Sequence, residues 1–204
     1  IAMLREKHEH LQKLPGVKLP EDMTFTTDLK AAVESGEYLI LAVPSVFTRN
    51  TAKSMAPFVK NGQVIVCVAK GIEETTLMTL SDIVEQEIPQ AEVAVMCGPS
   101  HAEEVGIGLP TTVVAGAKKR KVAESIQDIF MNSVFRVYTS PDVLGMELGG
   151  SLKNVIALAA GMADGLGYGD NTKAALITRG MFEMSKLATT MGAKAETLNG
   201  LTGI

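Results

Sequence analysis

The feature that most constrains the fold is a regular alternation of short apolar segments with helical segments up to about Thr139. The apolar segments are rich in β-branched residues and bounded by Gly, Pro or Ser, and they predict strands at 38–43, 63–69, 92–97, 111–115 and 135–138. Helices are predicted between them at 46–59, 76–87, 102–106 and 120–132. Because continuously apolar strands separated by helices are typical of a sheet covered on both faces, this region predicts a doubly wound, mainly parallel α/β sheet.

The pattern changes after Pro141, where long helices are predicted at 144–163 and 172–191 with no strand signal between them. We therefore expect two domains, an α/β domain over residues 1–140 and a helical domain over residues 141–204. The opening segment, IAMLREKHEH, predicts an amphipathic helix rather than a signal peptide. Since the chain begins with Ile1 and this helix, we expect a further portion of the protein to precede it.

Composition and charge argue against several classes of function. With 46% hydrophobic and 21% charged residues, the 204-residue chain has the composition of a folded globular protein. Its formal net charge of -4 gives no basic field for a nucleic-acid backbone, so no nucleic-acid partner is expected. The longest apolar runs fall far short of the ~18 residues that span a bilayer, so we expect a soluble, cytoplasmic protein with no membrane partner. Cys67 and Cys97 lie inside apolar runs and are interpreted as core residues rather than as a disulfide or metal pair.

Three predicted strands end in turn-forming and polar residues: VPSVF at 43–47, AKGIE at 69–73 and GPSHAEE at 98–104. Because sites in parallel sheets lie beyond the carboxyl ends of the strands, we expect these motifs to form one crevice. Each motif also has an ordinary interpretation as a turn. Pro44 and Pro99 end strands, and Ser100 with Glu103 matches a helix capping box.

Within these motifs, Lys70 and the turn at 98–100 are the strongest candidates for a site. Lys70 follows an apolar strand and precedes a glycine, which places it near the sheet edge; the alternative is a solvated loop lysine. The turn at 98–100 presents backbone N–H groups at a predicted helix start, where an anion such as phosphate is favoured. His101 fits a capping or surface residue better than a catalytic base.

A second candidate lies on the first helix after Pro141, in the segment GMELGGSLKNVIA at 145–157. Gly149 and Gly150 precede Lys153 by about one turn and Ala157 follows it by one turn, so the lysine stands on a face with little side-chain bulk. Glycine inside a helix lowers helix stability by about 1 kcal/mol relative to alanine. Two such glycines therefore indicate that another group approaches the helix backbone closely at these positions. The approaching group is either a tightly packed neighbouring helix or a reactant, and the sequence leaves both possibilities open. Burial would lower the pKa of such a lysine and allow it to accept a proton from an alcohol.

The motifs VPS, AKGIE and GPSHAEEV are followed by ELGGSLKNVIALAAGMADGLGYGDNTKAALITRG and GLTGI. In this order they closely resemble bacterial NAD(P)-dependent sn-glycerol-3-phosphate dehydrogenases over essentially the whole chain. That family interconverts dihydroxyacetone phosphate and sn-glycerol 3-phosphate, so the resemblance implies an oxidoreductase that uses NAD or NADP and supplies glycerol phosphate for phospholipid synthesis. It also implies an incomplete Rossmann-like domain, the start of an all-α substrate domain, and a homodimer.

The resemblance implies a set of substrate contacts as well. Lys153 would exchange the proton of the secondary alcohol, and Lys70 would contact both substrate and cofactor. Gly98 and Ser100 would contact the glycerol phosphate, and Asn154 would be a weaker part of the same site.

The cofactor contacts implied by the resemblance are Lys70, Ala102, Pro44 and Phe47. No metal is implied, and Arg179 is interpreted as structural. The family's GxGxxG turn, which cradles the pyrophosphate, is expected upstream of the first residue, together with the determinant of NAD against NADP. The aspartate and the arginine-asparagine pair that complete the family's substrate site are expected downstream. The 204 residues alone are therefore expected to be inactive.

Two alternatives stay open at this point. The β-hydroxyacid dehydrogenases also join a dinucleotide domain to helices and use a lysine after glycines. In that group the asparagine follows the lysine by about one helical turn, whereas Lys153 and Asn154 are adjacent here, which favours glycerol phosphate. The second alternative is a non-catalytic remnant that binds a phosphate or nucleotide.

Overall fold

The computed structural model describes residues 1–203, which form seven strands and nine α-helices. The strands are β1 (Glu9–His10), β2 (Leu14–Lys18), β3 (Tyr38–Leu41), β4 (Val64–Cys67), β5 (Glu92–Cys97), β6 (Thr111–Ala117) and β7 (Phe135–Ser140). The helices are α1 (Ala2–Lys7), α2 (Leu29–Ser35), α3 (Thr48–Met55), α4 (Leu80–Glu87), α5 (Ala102–Gly106), α6 (Arg120–Phe130), α7 (Val143–Gly165), α8 (Gly169–Thr190) and α9 (Ala195–Leu198).

The central sheet has the order β3-β4-β5-β6-β7, with β1 and β2 forming a separate hairpin. The pairs β3–β4, β4–β5 and β6–β7 are parallel, which confirms the predicted Rossmann-like α/β fold, but β5 and β6 are antiparallel. That reversal was not predicted from the sequence. It arises because α5 is only five residues long, too short to carry the chain back across the sheet, so β6 begins beside the end of β5.

Helices cover one face of the sheet and, through α6, the β5–β7 part of the other face, whereas Ile40 of β3 is 44% exposed, so the predicted cover on both faces is only partial. Within β4 the side chains alternate, because Ile65 and Cys67 pack into one core while Val66 packs into the other. The first core includes side chains from α2, α3, α4 and α7, and the second includes side chains from α6. Both cysteines are buried and unpaired, which confirms their interpretation as core residues. A third core joins α7, α8 and α9 around Leu148 and Leu198.

Several element boundaries differ from the sequence prediction. The helix predicted for the opening segment ends at Lys7, and the chain then enters the β1–β2 hairpin. Helix α2, whose N-cap Asp28 accepts a hydrogen bond from the backbone of Ala31, was not predicted. The helix predicted at 76–87 begins at Leu80 instead, because Leu77 has a left-handed backbone (φ 59) that a helix cannot contain.

Helix α7 runs from the end of β7 back along the sheet towards the carboxyl end of β5. Its Met146 lies against Gly116 of β6 and its Gly150 lies against Cys97, the last residue of β5. Among residues 1–203, α7 is the one helix long and apolar enough to cross a membrane by length and composition, with a mean hydropathy of 1.2 over 18 residues. Core helices of soluble proteins meet the same criterion, and α7 packs on α8, α9 and the sheet. This direction places Lys153 near the carboxyl edge of the sheet.

Candidate functional site

The first two strand-end motifs lie against each other at the carboxyl edge of the sheet. A Cβ atom added to Gly71 would lie 2.6 Å from the Cβ of Ser45, so only glycine allows the AKGIE loop to approach the VPS loop this closely. Pro44 precedes a 3-10 turn that contains Phe47, and both residues are exposed. Lys70, also exposed, stands at the start of the packed loop.

An ion-pair cluster anchors the far end of the AKGIE loop at 69–73, which is called the Lys70 loop below. The Nε and Nη2 atoms of Arg49 donate hydrogen bonds to the two carboxylate oxygens of Glu73 at 2.7 and 2.6 Å, and Nη1 also bonds Glu87. This guanidinium and a hydrogen bond from Thr76 lower the pKa of Glu73 to about 2. Glu73 belongs to the AKGIE motif, but its pairing with Arg49 was not predicted, because Arg49 lies 24 positions away and no local pattern connects the two residues.

The third motif is built differently from the sequence prediction. Gly98 is buried, and a Cβ there would lie 2.9 Å from the carbonyl oxygen of Thr112 on β6, so its glycine serves strand packing. The capping box suggested for Ser100 does not form, because the N-cap of α5 is His101, with no side-chain cap bond. The hydroxyl of Ser100 donates instead to the carbonyl of Gly98 at 3.4 Å.

The space beside the two glycines before Lys153 is occupied by other parts of the protein. A Cβ at Gly150 would lie 2.6 Å from the sulfur of Cys97, and a Cβ at Gly149 would lie 2.9 Å from the carbonyl oxygen of Thr202. The close approach is therefore made by the end of β5 and by the chain after α9, rather than by another helix. This packing draws α7 onto the sheet and leaves Lys153 half-buried.

One cavity of about 470 Å³ brings together residues from the two parts of the chain. Lys70 and Ser100 enter it from the sheet edge, and Lys153 and Asn154 enter it from α7. Pro99 is among its lining residues, whereas the buried Gly98 is not. The wall formed by α7 and α8 is apolar and includes Ile156, Ala157, Ile177 and Met181. Four of the predicted substrate residues therefore share one space.

A second cavity, of about 660 Å³, adjoins the first on the side of α5. It shares Lys70 and Ser100 with the first cavity, contains Ala102, and is lined mainly by apolar side chains of the sheet. Pro44 and Phe47 are not among the residues that line either cavity. Of the predicted cofactor contacts, Lys70 and Ala102 thus lie in a common space and the two residues of the VPS motif lie outside it.

The electrostatics of the first cavity suit an anion and a proton transfer. Burial lowers the pKa of Lys153 below its usual value, the nearby charge of Lys70 lowers it further, and Cys97 acts in the opposite direction. Burial raises the pKa of the Cys97 thiol above its usual value. A cavity with one exposed ammonium group and one half-buried amine can hold a phosphate and also exchange a proton with a hydroxyl.

Two acidic residues that the sequence analysis did not single out connect α7 to its surroundings. Asp142, the N-cap of α7, accepts hydrogen bonds from the backbone of Gly145 at 3.1 Å and of Lys194 at 2.9 Å, and from the Thr197 hydroxyl at 2.6 Å. Glu147 accepts a hydrogen bond from the backbone N–H of Ser81 at 2.9 Å. The N-cap position before a predicted helix was a signal that could have found Asp142.

The fold and the site together define a Rossmann-like α/β unit joined to a helical unit, with a lysine-containing crevice between them. Residues 1–123 match the family model described as NAD-dependent glycerol-3-phosphate dehydrogenase N-terminus, and residues 142–204 match the model of the C-terminus. The chain therefore belongs to the NAD-dependent glycerol-3-phosphate dehydrogenase family.

Individual relatives agree with this family. The chain is 78% identical over 204 residues to glycerol-3-phosphate dehydrogenase (NAD(P)+) of Agathobacter rectalis, a match that covers 100% of this chain and 61% of the relative. It is 55% identical to the enzyme of the same name from Fusobacterium nucleatum, covering 98% of this chain and 61% of the relative. A crystal structure of glycerol-3-phosphate dehydrogenase from Coxiella burnetii superposes with a TM-score of 0.94 at 35% identity, covering 99% of this chain and 62% of that one. The chain thus spans about 61% of the length of these curated relatives.

Proposed function

We propose that the natural protein containing this chain, called the whole protein below, interconverts sn-glycerol 3-phosphate and dihydroxyacetone phosphate with NAD or NADP. The observation that carries the proposal is the 470 Å³ cavity in which Lys70 and Lys153 meet from different parts of the chain. Family membership supplies the substrate class, and the two amines supply the groups that such a substrate needs. The product would serve phospholipid synthesis.

Lys153 has the role of proton acceptor and donor. In the oxidation direction its neutral amine takes the proton of the secondary hydroxyl as hydride leaves the carbon that bears this hydroxyl, and in the reduction direction its ammonium returns that proton to the oxygen. The lowered pKa of Lys153 supports this role, because it increases the neutral fraction at a given pH. Lys70 binds the substrate phosphate, and Ser100 and Asn154 orient the rest of the molecule, with Gly98 shaping the turn behind it.

The second cavity fits a flat, largely apolar ring of the kind that nicotinamide provides, since it is lined mainly by apolar side chains and shares Lys70 and Ser100 with the first cavity. Bound NAD or NADP would accept or supply the hydride. Ala102 would contact the cofactor and Lys70 would lie between cofactor and substrate. Pro44 and Phe47 stand outside this cavity, and we assign them to a more distant part of the cofactor.

The remaining expectations concern the whole protein. The domain boundary at 140/141 is supported by the end of β7 at Ser140 and the start of α7 at Val143. A homodimer is supported by exposed apolar side chains on α7 and α8, such as Leu158 and Phe182, which a second subunit or further helices would cover. We propose a cytoplasmic enzyme with small-molecule partners and with neither nucleic-acid nor membrane partners.

The test is steady-state kinetics of the whole protein and of three variants. Lys153→Met keeps the side-chain length and removes the amine, so turnover should fall by ~10² or more while cofactor binding persists. Lys153→Arg should not restore activity, because arginine keeps the charge and does not release a proton at accessible pH. Lys121→Met, on the exposed surface of α6, is the matched control and should leave the kinetics unchanged.

Two results would contradict the assignment. Near-normal turnover of Lys153→Arg would show that Lys153 only attracts phosphate. Cofactor or phosphate binding by the whole protein without any reduction of dihydroxyacetone phosphate would favour the non-catalytic binding protein instead.

A further inference from the structure

Glu147 is a largely buried carboxylate that lies below the cavity rather than in it. It stands on α7, almost two turns before Lys153, and its Oε1 accepts the backbone N–H of Ser81 at 2.9 Å. Its Oε2 accepts a hydrogen bond from the Ser81 hydroxyl, which in turn lies 3.3 Å from the hydroxyl of Thr79. Ser81 and Thr79 are themselves 6% and 3% exposed. The carboxylate is thus enclosed and satisfied at the start of α4.

Both bonds join parts of the chain that are 66 positions apart. Ser81 is in the first turn of α4, where backbone N–H groups have no acceptor within the helix and favour a negative charge. Helix α4 follows the Lys70 loop, and that loop is closed by a bridge between Ile72 and Thr79. Glu147 therefore fastens the helix that carries Lys153 to the segment that carries Lys70.

The region between Glu147 and the cavity is filled. Lys70, Cys97, Glu147 and Ser151 line one internal void of about 10 Å³, which has room for at most a single water molecule. Gly150 packs on Cys97 one turn after Glu147, and a Cβ added there would lie 3.7 Å from the Cγ of Lys70. Movement of α7 at Glu147 would consequently be transmitted to the spacing of the two lysines.

Resting on the proposed function, we infer that Glu147 is a positioning residue, which holds α7 against α4 so that Lys153 and Lys70 keep the separation needed for reaction. It contacts neither substrate nor cofactor. Misplacing a catalytic group by about 1 Å can cost ~10²-fold in rate even when the groups that bind substrate are intact. The expected effect of losing Glu147 is therefore on kcat more than on KM.

The experiment compares Glu147→Asp, Ser81→Ala and the double variant in the whole protein. Aspartate keeps the charge but is shorter by one methylene, so kcat should fall by ~10- to 10²-fold while KM for dihydroxyacetone phosphate and for NADH changes by less than ~3-fold. Ser81→Ala keeps the backbone bond and should give a smaller loss of kcat in a protein that folds normally. The double variant should be no worse than Glu147→Asp, because both changes remove the same contact.

Asp164→Asn is the matched control for these variants. Asp164 is also an acidic residue of α7, but it is paired with Lys173 at 2.7 Å near the far end of the helix. The Asp164→Asn variant should therefore have the same kcat and KM as the unmodified protein. A second measurement does not need catalysis. The rate at which acetic anhydride modifies Lys153, read by mass spectrometry against Lys121 in the same sample, should change in Glu147→Asp and stay constant in Asp164→Asn.

The outcomes separate the two hypotheses. If the unmodified protein does not reduce dihydroxyacetone phosphate but Glu147→Asp still alters the acetylation of Lys153, the proposed function fails and the positioning role stands. If the unmodified protein is active and the folded Glu147 and Ser81 variants keep their kcat, or lose activity through KM alone, the positioning role is overturned. Additive losses in the double variant would also overturn it.

Discussion

Gly150→Ala tests whether the packing of α7 on the sheet fixes the site. The added Cβ would lie 2.6 Å from the sulfur of Cys97, whereas unstrained non-bonded heavy atoms lie about 3.5 to 4.0 Å apart. The contact is therefore too short by roughly 1 Å. Cys97 is 8% exposed and sits at the end of a central strand, so the sulfur has little room to move and α7 must shift instead.

The change that Gly150→Ala causes in the free energy of unfolding is the sum of two opposing contributions. Overpacking a filled core costs about 1–3 kcal/mol, while replacing glycine by alanine inside a helix gains about 1 kcal/mol. Gly161→Ala on the same helix isolates the gain, because a Cβ at that position has no neighbour within 4 Å. The free energies of unfolding of the two variants should thus differ by about 1–3 kcal/mol, a difference of roughly 1–5 °C in the melting temperature of the whole protein.

Thermal unfolding followed by circular dichroism measures this difference in the whole protein. Cys97→Ala removes the sulfur, so Gly150→Ala should no longer be destabilising when it is introduced into that background. A displacement of ~1 Å should also reduce kcat by up to ~10²-fold in Gly150→Ala and leave Gly161→Ala active. Equal melting temperatures for the two single variants, or a destabilisation that persists in the Cys97→Ala background, would refute the packing argument.

Four further predictions concern charge, caps and the chain itself. Lys70→Ala should raise the pKa of Lys153 by removing a neighbouring positive charge, so the alkaline rise in kcat for alcohol oxidation should move to higher pH; an unshifted pH profile would show that the two amines are uncoupled. Glu73 has its pKa lowered to about 2 from 4.5, so its stabilising contribution is complete above pH 4.5 and is lost as the pH falls towards 2; acid unfolding of Glu73→Gln should show a smaller loss over that window. Asp142→Ala should destabilise the fold by ~1–3 kcal/mol in urea unfolding, because it removes the cap of α7 and leaves buried donors unpaired, whereas a loss below ~0.5 kcal/mol would contradict the cap. The 204-residue chain alone, which spans 61% of its relatives, should neither bind NADH at micromolar concentration nor reduce dihydroxyacetone phosphate, and fluorescence titration of the purified chain checks this.

The parts of the fold that were predicted from sequence are those that local patterns encode. The strands β3, β4 and β5 were found because their residues are continuously apolar and β-branched, and the positions of Lys70 and Ser100 followed from the rule that sites lie beyond strand ends. The cavity shared by Lys70, Ser100 and Lys153 agrees with that reasoning. The apolar pattern sufficed for β4 and β5 because their residues are buried or partly buried on both faces, whereas β3 was found although its Ile40 is 44% exposed.

The parts that were not predicted depend on partners far apart in the sequence. The helix at 102–106 was predicted with the bounds that α5 has, but the antiparallel direction of β6 beside β5 was not predicted from it. Arg49 with Glu73 and Glu147 with Ser81 are separated by 24 and 66 positions, and a charged residue gives no periodic signal of the partner it will meet. Tertiary contacts of this kind become visible only once the sheet order is known.

The glycines of α7 show how packing and chemistry depend on the same contacts. Their sequence pattern left open whether a reactant or a neighbouring part of the protein approaches them. In the structure the protein itself does so at both positions, with Cys97 against Gly150 and the Thr202 carbonyl against Gly149. Because α7 is thereby drawn onto the sheet, Lys153 is half-buried, and burial is the largest cause of its lowered pKa. A helix held further from the sheet would leave the amine solvated, its pKa would return towards 10.5, and less of it would be neutral and able to accept a proton. The glycines therefore support the proposed chemistry indirectly, by burying the lysine rather than by making room for a substrate.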